Sequence, residues 1–138
     1  MSYDDSNIFA KILRGELPCE KIYEDEHTFA FMDIMPRADG HTLVIPKVPA
    51  RNMLDASADQ LASCLSTVQT ISHAMKKALN ADGITLQQFN EAAGGQEVFH
   101  LHFHVLPRHD GVKLRPPGTM GDTEVIKTVA AKIRQGLE

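Results

Sequence analysis

The segment His-Leu-His-Phe-His at residues 100–104 constrains the fold and the chemistry of this chain more than any other feature. Apolar residues alternate with the histidines and continue through Val105 and Leu106, a pattern that predicts a β-strand. Because successive side chains on a strand point to opposite faces, we expect His100, His102 and His104 to share one face. The apolar face would pack against a core, and the three imidazoles would form a site.

Two chemistries are open to such a row of imidazoles. A His-x-His pair on a strand can bind zinc, with a third ligand from His104, His41 or an acidic residue. On a straight strand, however, the outer two histidines would lie about 13 Å apart, which hinders convergence on one ion. The other chemistry is attack of a neutral imidazole on phosphorus, which forms a covalent phosphoramidate. We favour this second chemistry, with His102 as the nucleophile and no bound metal.

Composition limits the kinds of partner. With 138 residues, 43% hydrophobic and 23% charged, the chain fits a single globular domain, and its formal net charge of −4 argues against binding to nucleic acid polymers. The polar, acidic start of the chain does not resemble a signal peptide, and no apolar run approaches the roughly 18 residues of a membrane span. The two cysteines, Cys19 and Cys64, lie far apart in sequence. A cytoplasmic protein with free thiols and no membrane partner is predicted.

The order of predicted elements indicates an α+β fold. A short helix begins near Ser6 and ends at Gly15, the capping-box residues Ser57 and Gln60 begin the longest helix, and a last helix spans about 123–135. Strands are predicted at 20–24, 28–33, 42–45 and 84–90, followed by the histidine strand. Together they would form a five-stranded antiparallel sheet with helices on one face, and the exposed sheet edges suggest a homodimer.

The histidine segment resembles the signature of the histidine triad nucleotide-binding proteins, in which histidines and apolar residues alternate. Residues 7–13, 31–36, 41–47 and 95–98 also resemble blocks of that family, in the family's order. The resemblance implies a single domain over residues 1–138, with a core at 6–108 and a helical extension at 109–138. It also implies a homodimer that hydrolyses or transfers at the α-phosphate of a purine nucleotide.

The resemblance also implies a role for each site residue. His102 would be the nucleophile, His100 would support it, His104 would contact phosphate, and His41 would lie beside them. Asp33 would accept hydrogen bonds from the ribose, although from sequence alone it could equally cap the turn before Pro36. The predicted phosphate loop comprises Asn90, Gly95, Gln96 and Glu97, and the apolar wall around the base comprises Ile8, Phe9, Ile12, Phe31 and Ile34.

Departures from the family pattern bear on cofactors and on the leaving group. Some relatives hold a structural zinc, but Asn7, Ala10 and Pro49 occupy three of its ligand positions here, so no zinc is expected. Glu97 replaces the serine of the phosphoramidase branch and would offer its backbone N–H, not its side chain, to phosphate. No cofactor is required, although magnesium could accompany a polyphosphate substrate. The predicted substrate is a purine nucleoside phosphoramidate or an adenylate; the alternatives are dinucleoside polyphosphate hydrolysis and a nucleotide-binding regulatory module with little turnover.

Overall fold

The computed structural model describes residues 2–138 and contains five strands in one sheet. They are β1 (Lys21–Glu24), β2 (Thr28–Met32), β3 (Thr42–Pro46), β4 (Gly83–Gln87) and β5 (Phe103–Arg108). Their order across the sheet is β1-β2-β3-β5-β4, and every neighbouring pair is antiparallel. The predicted five-stranded antiparallel sheet is confirmed.

Three α-helices accompany the sheet: α1 (Ile8–Leu13), α2 (Ala58–Leu79) and α3 (Thr123–Gly136). The capping box of Ser57 and Gln60 forms as predicted and begins α2. The predicted cap of α1 is wrong by one residue, because the Asn7 side chain accepts from the Ala10 N–H while Ser6 bonds to Asp4. In the part of the chain described, no helix is both long and apolar enough to cross a membrane.

The two faces of the sheet carry different layers. The helices α2 and α3 pack on one face, where Val44, Phe103 and Val105 join Ile71 and Ile133 in the larger core. The prediction that all helices cover one face is wrong, because Phe9 of α1 packs on Phe31 on the opposite face. Alternation along each strand produces this division, since neighbouring residues of β2 and β3 enter different cores. The face that carries α1 also carries the site.

The histidine strand is shorter than its sequence pattern predicts. The β5 strand begins at Phe103, so His100 and His102 precede it and only His104 lies within it. On the neighbouring β3 the last paired residue is Val44, opposite Phe103. Farther along β3 stands Pro46, which has no N–H for a sheet hydrogen bond, and its carbonyl accepts from the His100 ring instead. The burial alternation nevertheless persists, since Leu101, Phe103 and Val105 are all buried.

The strand predicted at 84–90 ends early, at Gln87. Beyond it, the Gln88 and Asn90 side chains hydrogen-bond to each other, and Asn90 also accepts from the Met53 N–H. These contacts turn the chain out of the sheet. The segment after β4 therefore becomes the loop that leads to the histidines.

The C-terminal segment packs on the same core as the rest of the chain. In α3, Ile126, Ala130 and Ile133 are buried against α2 and the sheet. Before α3, the Arg115 N–H donates to the Arg37 carbonyl (2.8 Å) and the Gly121 N–H to the Ile34 carbonyl (2.9 Å). The C-terminal segment thus supports the loop between β2 and β3, which follows the predicted ribose ligand Asp33.

Candidate active site

The ring of His102 is held in one orientation by its own main chain. Its Nδ1–H donates to the carbonyl oxygen of His100 (2.6 Å). A carbonyl oxygen only accepts, so the proton of a neutral His102 ring is on Nδ1, and Nε2 keeps its lone pair. The ring lies edge-on to Phe9 and to His104, with centroid separations of 4.9 and 5.0 Å. This arrangement leaves His102 Nε2 as a nucleophilic nitrogen.

Both ring nitrogens of His100 are bonded inside the protein. Its Nε2–H donates to the Pro46 carbonyl oxygen (2.9 Å), and its Nδ1 lies 2.6 Å from the hydroxyl of Tyr3. The side chain is only 1% exposed. His100 therefore supports His102 through its backbone carbonyl, and its ring is not available to a substrate.

His41 and His104 form a second, directional pair. The backbone N–H of Arg37 donates to His41 Nδ1 (3.1 Å), which places the proton of the neutral His41 ring on Nε2. This Nε2–H faces His104 Nδ1 at 2.9 Å, so the proton of His104 is on its own Nε2. The pair therefore supplies an N–H donor next to the His102 ring, where charge would develop on phosphate oxygens.

Burial keeps all four imidazoles neutral. It lowers the pKa of His102, an effect that the His100 carbonyl and the Asp33 carboxylate partly oppose. Burial also lowers the pKa of His100 to about 4, of His104 to about 3, and of His41 below its ordinary value. Near neutral pH the site therefore contains neutral nitrogen nucleophiles and donors, which is the form required for attack at phosphorus.

Asp33 caps the turn before Pro36, as its sequence context allowed, and its predicted contact with a ribose remains a prediction. One carboxylate oxygen, Oδ1, accepts from the Met35 N–H (2.8 Å) and so caps the turn before Pro36. The other, Oδ2, lies 3.5 Å from His41 Nε2. Turn formation thus fixes the carboxylate beside the histidines while one oxygen still faces the site.

The predicted apolar wall is divided between buried and exposed residues. Phe9 and Phe31 are buried in the smaller core with Leu43 and Ile45, and Ile12 packs against this cluster. By contrast, Ile8 and Ile34 are about half-exposed, at 49% and 55%. Phe9 connects the smaller core with the site, because it packs on Phe31 and on the His102 ring. Ile8 and Ile34 have apolar surface free to contact a base.

The loop before the histidines presents fewer free amides than its Gly-Gly-Gln sequence suggests. The N–H groups of Gly94, Gly95 and Gln96 donate to the carbonyls of Glu91 or Ala92 within the loop. The 3₁₀ turn Ala92–Gly94 and its C-terminal cap already use these three N–H groups, and the predicted phosphate contacts of Gly95 and Gln96 remain predictions. In residues 2–138, the Glu97 N–H has no internal acceptor, in keeping with the contact predicted for it.

Gln96 and Asn90, two other predicted phosphate-loop residues, make bonds that shape the loop. Gln96 is buried, and its side-chain amide donates to the Arg51 and Val98 carbonyls. Asn90 bonds to Gln88 and Met53. Their predicted nucleotide contacts remain predictions, and their observed contacts hold the loop in place.

Sequence reasoning did not find several residues that organise this site. Glu91 has φ +66°, a left-handed backbone conformation, and its carboxylate binds Arg51 and Asn52. Tyr3 bonds the ring of His100, and the Arg37 amide sets the His41 tautomer. The sequence signal for the role of Glu91 was its position directly before Ala-Ala-Gly-Gly. No local signal existed for Tyr3, because its contact joins residues far apart in the chain.

Two metal sites can be tested against these contacts. Asp33, His41 and His104 offer ligand atoms within 4.8 Å of one another. Metal binding through His41 Nε2 would move the ring proton to Nδ1, where the Arg37 N–H already points, so two donors would face each other. These three side chains fit a hydrogen-bonded cluster better than a metal centre.

A structural zinc does not fit the positions that the resemblance assigns to it. Asn7 uses its side-chain oxygen to cap α1, and Ala10 has no donor atom. Both nitrogens of His100 are already hydrogen-bonded. Zinc needs about four nitrogen, sulfur or oxygen ligands, and these residues do not supply them.

Comparison with known proteins places this geometry in a family. A family model described as HIT domain matches residues 14–111. A crystal structure of a Hit-like protein involved in cell-cycle regulation, from Bartonella henselae, is similar to this chain at 51% sequence identity and a TM-score of 0.92, covering 99% of each chain.

Two curated relatives have names that describe activities. An adenylylsulfatase of Arabidopsis thaliana is 40% identical over 103 residues, which span 75% of this chain and 52% of that protein. An adenosine 5'-monophosphoramidase of Saccharomyces cerevisiae is 36% identical over 107 residues, which span 78% of this chain and 65% of that protein.

Proposed function

Since the chain belongs to the HIT domain family, we propose that it is a nucleotide hydrolase acting at the α-phosphate of purine nucleoside phosphoramidates or adenylates. The observation that carries this proposal is the hydrogen bond from His102 Nδ1–H to the His100 carbonyl. Together with the lowered pKa of His102, this bond favours a neutral ring whose Nε2 lone pair is free. That is the requirement for nucleophilic attack by a histidine.

The proposed reaction has two displacements at phosphorus. His102 Nε2 attacks the α-phosphorus, the new P–N bond forms, and the leaving group departs with the electron pair of the broken bond. An amine leaving group also takes up a proton from solvent, which the water of the second displacement returns, whereas a sulfate, carboxylate or phosphate leaves as its anion. Water then cleaves the nucleotidyl-histidine, which releases the nucleoside monophosphate and restores the neutral ring. One water molecule is consumed in each cycle.

Neighbouring groups would stabilise the charge that develops in each displacement. His104 Nε2–H, oriented by its bond with His41, would donate to an equatorial phosphate oxygen. The Glu97 N–H would donate to another. Asp33 Oδ2 would accept from a ribose hydroxyl, a charge-assisted hydrogen bond. We propose that this reaction needs neither a structural zinc nor another cofactor.

The substrate class is supported by the names of the relatives. The adenylylsulfatase and the adenosine 5'-monophosphoramidase differ in the group that is joined to an adenosine phosphate. The adenosine phosphate is common to both names, and it is the part of the substrate that the proposed site would bind. The exposed apolar surfaces of Ile8 and Ile34 suit a flat purine base.

A panel of adenosine compounds tests the proposed function. Initial rates would be measured with an adenosine 5'-phosphoramidate, an adenylyl sulfate and a dinucleoside polyphosphate, each with and without a chelator. We expect turnover of the first or second compound that persists with chelator and is lost in His102→Ala. Faster turnover of the dinucleoside polyphosphate would favour the alternative hydrolase, and nucleotide binding without turnover would favour a regulatory module.

We also propose that the chain functions as a homodimer. β4 is an edge strand, and Leu86 on it is 46% exposed. Leu65 on α2 is exposed to the same extent. A paired edge strand and a covered helix would remove this apolar surface from water. Light scattering after size exclusion should give twice the chain mass for the wild type, and a monomer mass would contradict the proposal.

A further inference from the structure

Tyr3 makes a short hydrogen bond to a buried histidine of the site. Its hydroxyl lies 2.6 Å from His100 Nδ1, and the two rings meet edge to face with centroids 5.6 Å apart. Because His100 donates from Nε2 to the Pro46 carbonyl, the Nδ1 of the neutral ring can only accept. Burial raises the pKa of Tyr3, so its hydroxyl remains protonated and donates this bond.

Asn7 sets the direction of the Tyr3 bond. The Asn7 Oδ1 accepts from the Ala10 N–H as the cap of α1, so its Nδ2 must face Tyr3, and it donates to the Tyr3 oxygen at 3.0 Å. Hydrogen bonds therefore run in one direction from Asn7 through Tyr3 and His100 to Pro46. Each donor in this chain fixes the proton position of the next group.

The same histidine connects this chain to the nucleophile. The His100 backbone carbonyl accepts the Nδ1–H of His102 at 2.6 Å. The His100 ring is held at both of its nitrogens, and this restrains the backbone of the same residue, including the carbonyl that His102 uses. Any displacement would weaken the bond that leaves His102 Nε2 unprotonated.

We propose that Tyr3, oriented by Asn7, is a positioning residue that holds His100 and thereby fixes the reactive tautomer and orientation of His102. Tyr3 touches neither the reacting nitrogen nor the groups that would contact a nucleotide. The inference rests on the proposed function, since it assigns Tyr3 to the nucleophile of that reaction. Tyr3 lies outside the histidine segment and would act on the nucleophile only through His100.

Tyr3→Phe tests the proposal, with Tyr23→Phe as the matched control. These are the two tyrosines of the chain, and the Tyr23 hydroxyl donates to Asp25 instead of to a site residue. In Tyr3→Phe the buried His100 Nδ1 loses its donor, a cost of one unsatisfied polar group. We expect kcat to fall about 5- to 30-fold with KM changed less than about twofold. Tyr23→Phe should keep the wild-type kcat.

Nitrogen NMR of the histidine rings reports the tautomers directly and needs no substrate. The wild type should show His102 protonated at Nδ1 and His100 at Nε2. In Tyr3→Phe the His100 Nδ1 signal should shift, and the His102 signals should move toward a mixture of tautomers. A wild-type enzyme without turnover would refute the proposed function, while these ring signals would still decide the role of Tyr3.

Asn7→Asp provides a second variant in case Tyr3→Phe does not fold. Aspartate caps helices as well as asparagine does, so α1 is kept, but the new carboxylate can only accept. It would draw the Tyr3 hydroxyl away from His100 and should reproduce the kinetic and NMR changes. Wild-type ring signals in both variants, or a loss confined to KM, would overturn the proposal.

Discussion

At the residue scale, the chemistry of the site depends on which nitrogen of each imidazole carries the proton. Main-chain groups decide this for three of the rings: the Pro46 carbonyl for His100, the His100 carbonyl for His102 and the Arg37 amide for His41. Main-chain groups do not titrate, so the tautomers do not depend on a nearby charged side chain. The Nε2–H of His41 donates to His104 Nδ1, and this bond fixes the tautomer of His104. A neutral nucleophile and a neutral donor can therefore lie side by side without charge repulsion.

Asp33→Asn separates ribose recognition from support of the histidines. The asparagine oxygen can still cap the Met35 amide, but the charged acceptor that faces the site is lost. Since hydrogen bonds to charged groups contribute about 1.5–3 kcal/mol, we expect kcat/KM to fall about 10- to 100-fold on a ribose substrate. Steady-state rates on matched ribose and 2',3'-dideoxyribose substrates check this.

The dideoxy substrate serves as the control for Asp33→Asn. It lacks the hydroxyls that the carboxylate would bind, so the variant and the wild type should turn it over at similar rates. An equal loss on both substrates would show that Asp33 acts through His41 instead, which lies 3.5 Å from its Oδ2.

At the element scale, the loop between β4 and β5 depends on a few partly buried contacts. The Glu91 carboxylate binds the Arg51 guanidinium through two hydrogen bonds and the Asn52 amide through a third. The Gln96 side chain accepts from the Glu91 N–H and donates to the Arg51 carbonyl, which also holds this loop. The Glu97 amide can face a phosphate only if this loop keeps its shape.

Glu91→Ala should loosen the loop without unfolding the protein. We expect faster amide hydrogen exchange over residues 91–99 and a kcat/KM lowered about tenfold, because an ordered phosphate donor becomes mobile. Glu26→Ala is the control, since this glutamate is exposed and its ion pair in the described residues is a loose one with the exposed His27, at 3.8 Å. Unchanged exchange in the Glu91 variant would show that the ion pair does not order the loop.

The turn before β3 depends on Gly40. This glycine has φ +98°, and an added Cβ would lie 2.8 Å from Pro107 Cγ. Gly40→Ala should lower the free energy of unfolding by more than the roughly 1–2 kcal/mol of a left-handed alanine. Gly15→Ala isolates that backbone cost, because Gly15 has φ +77° and open space around its Cβ position. Equal losses in urea unfolding of the two variants would contradict the close packing at Gly40.

The alternating sequence pattern correctly predicts the sheet and the burial of Leu101, Phe103 and Val105. It does not predict where β5 begins, because that depends on Pro46 in a partner strand distant in sequence. The Tyr3 contact with His100 is likewise invisible in sequence, since the tertiary fold alone brings these residues together. Local patterns specify the elements and the cap of α2, whereas the start of β5 and the contacts of the His100 ring depend on the tertiary fold.

At the scale of the whole molecule, buried neutral histidines make stability depend on pH. Folding lowers the pKa of His100 to about 4 and of His104 to about 3, whereas the unfolded rings titrate near the ordinary histidine pKa of 6.5. Between these values the unfolded chain binds more protons, so stability falls as pH decreases. The contribution of these histidines to the free energy of unfolding is fully present above about pH 6.5. It declines toward pH 4 by up to about 1.4 kcal/mol per pH unit for each such histidine.

Urea unfolding at a series of pH values between 7.5 and 4.5 checks this dependence. Carboxylates with lowered pKa, such as Asp25 and Asp55, titrate below this window. His104→Asn should reduce the slope, and the exposed His27 provides the matched control variant, His27→Asn. A flat wild-type profile would mean that these rings are charged in the folded protein.

The most direct test of the central claim is the intact mass of the protein after brief mixing with an adenosine 5'-phosphoramidate. The reaction would be quenched at alkaline pH, because a phosphoramidate bond hydrolyses in acid. We predict a transient mass increase of one adenylyl group in the wild type and in His27→Ala, and none in His102→Ala. Product formation by the wild type without an adduct at any quench time, or an adduct that persists in His102→Ala, would contradict covalent catalysis by His102.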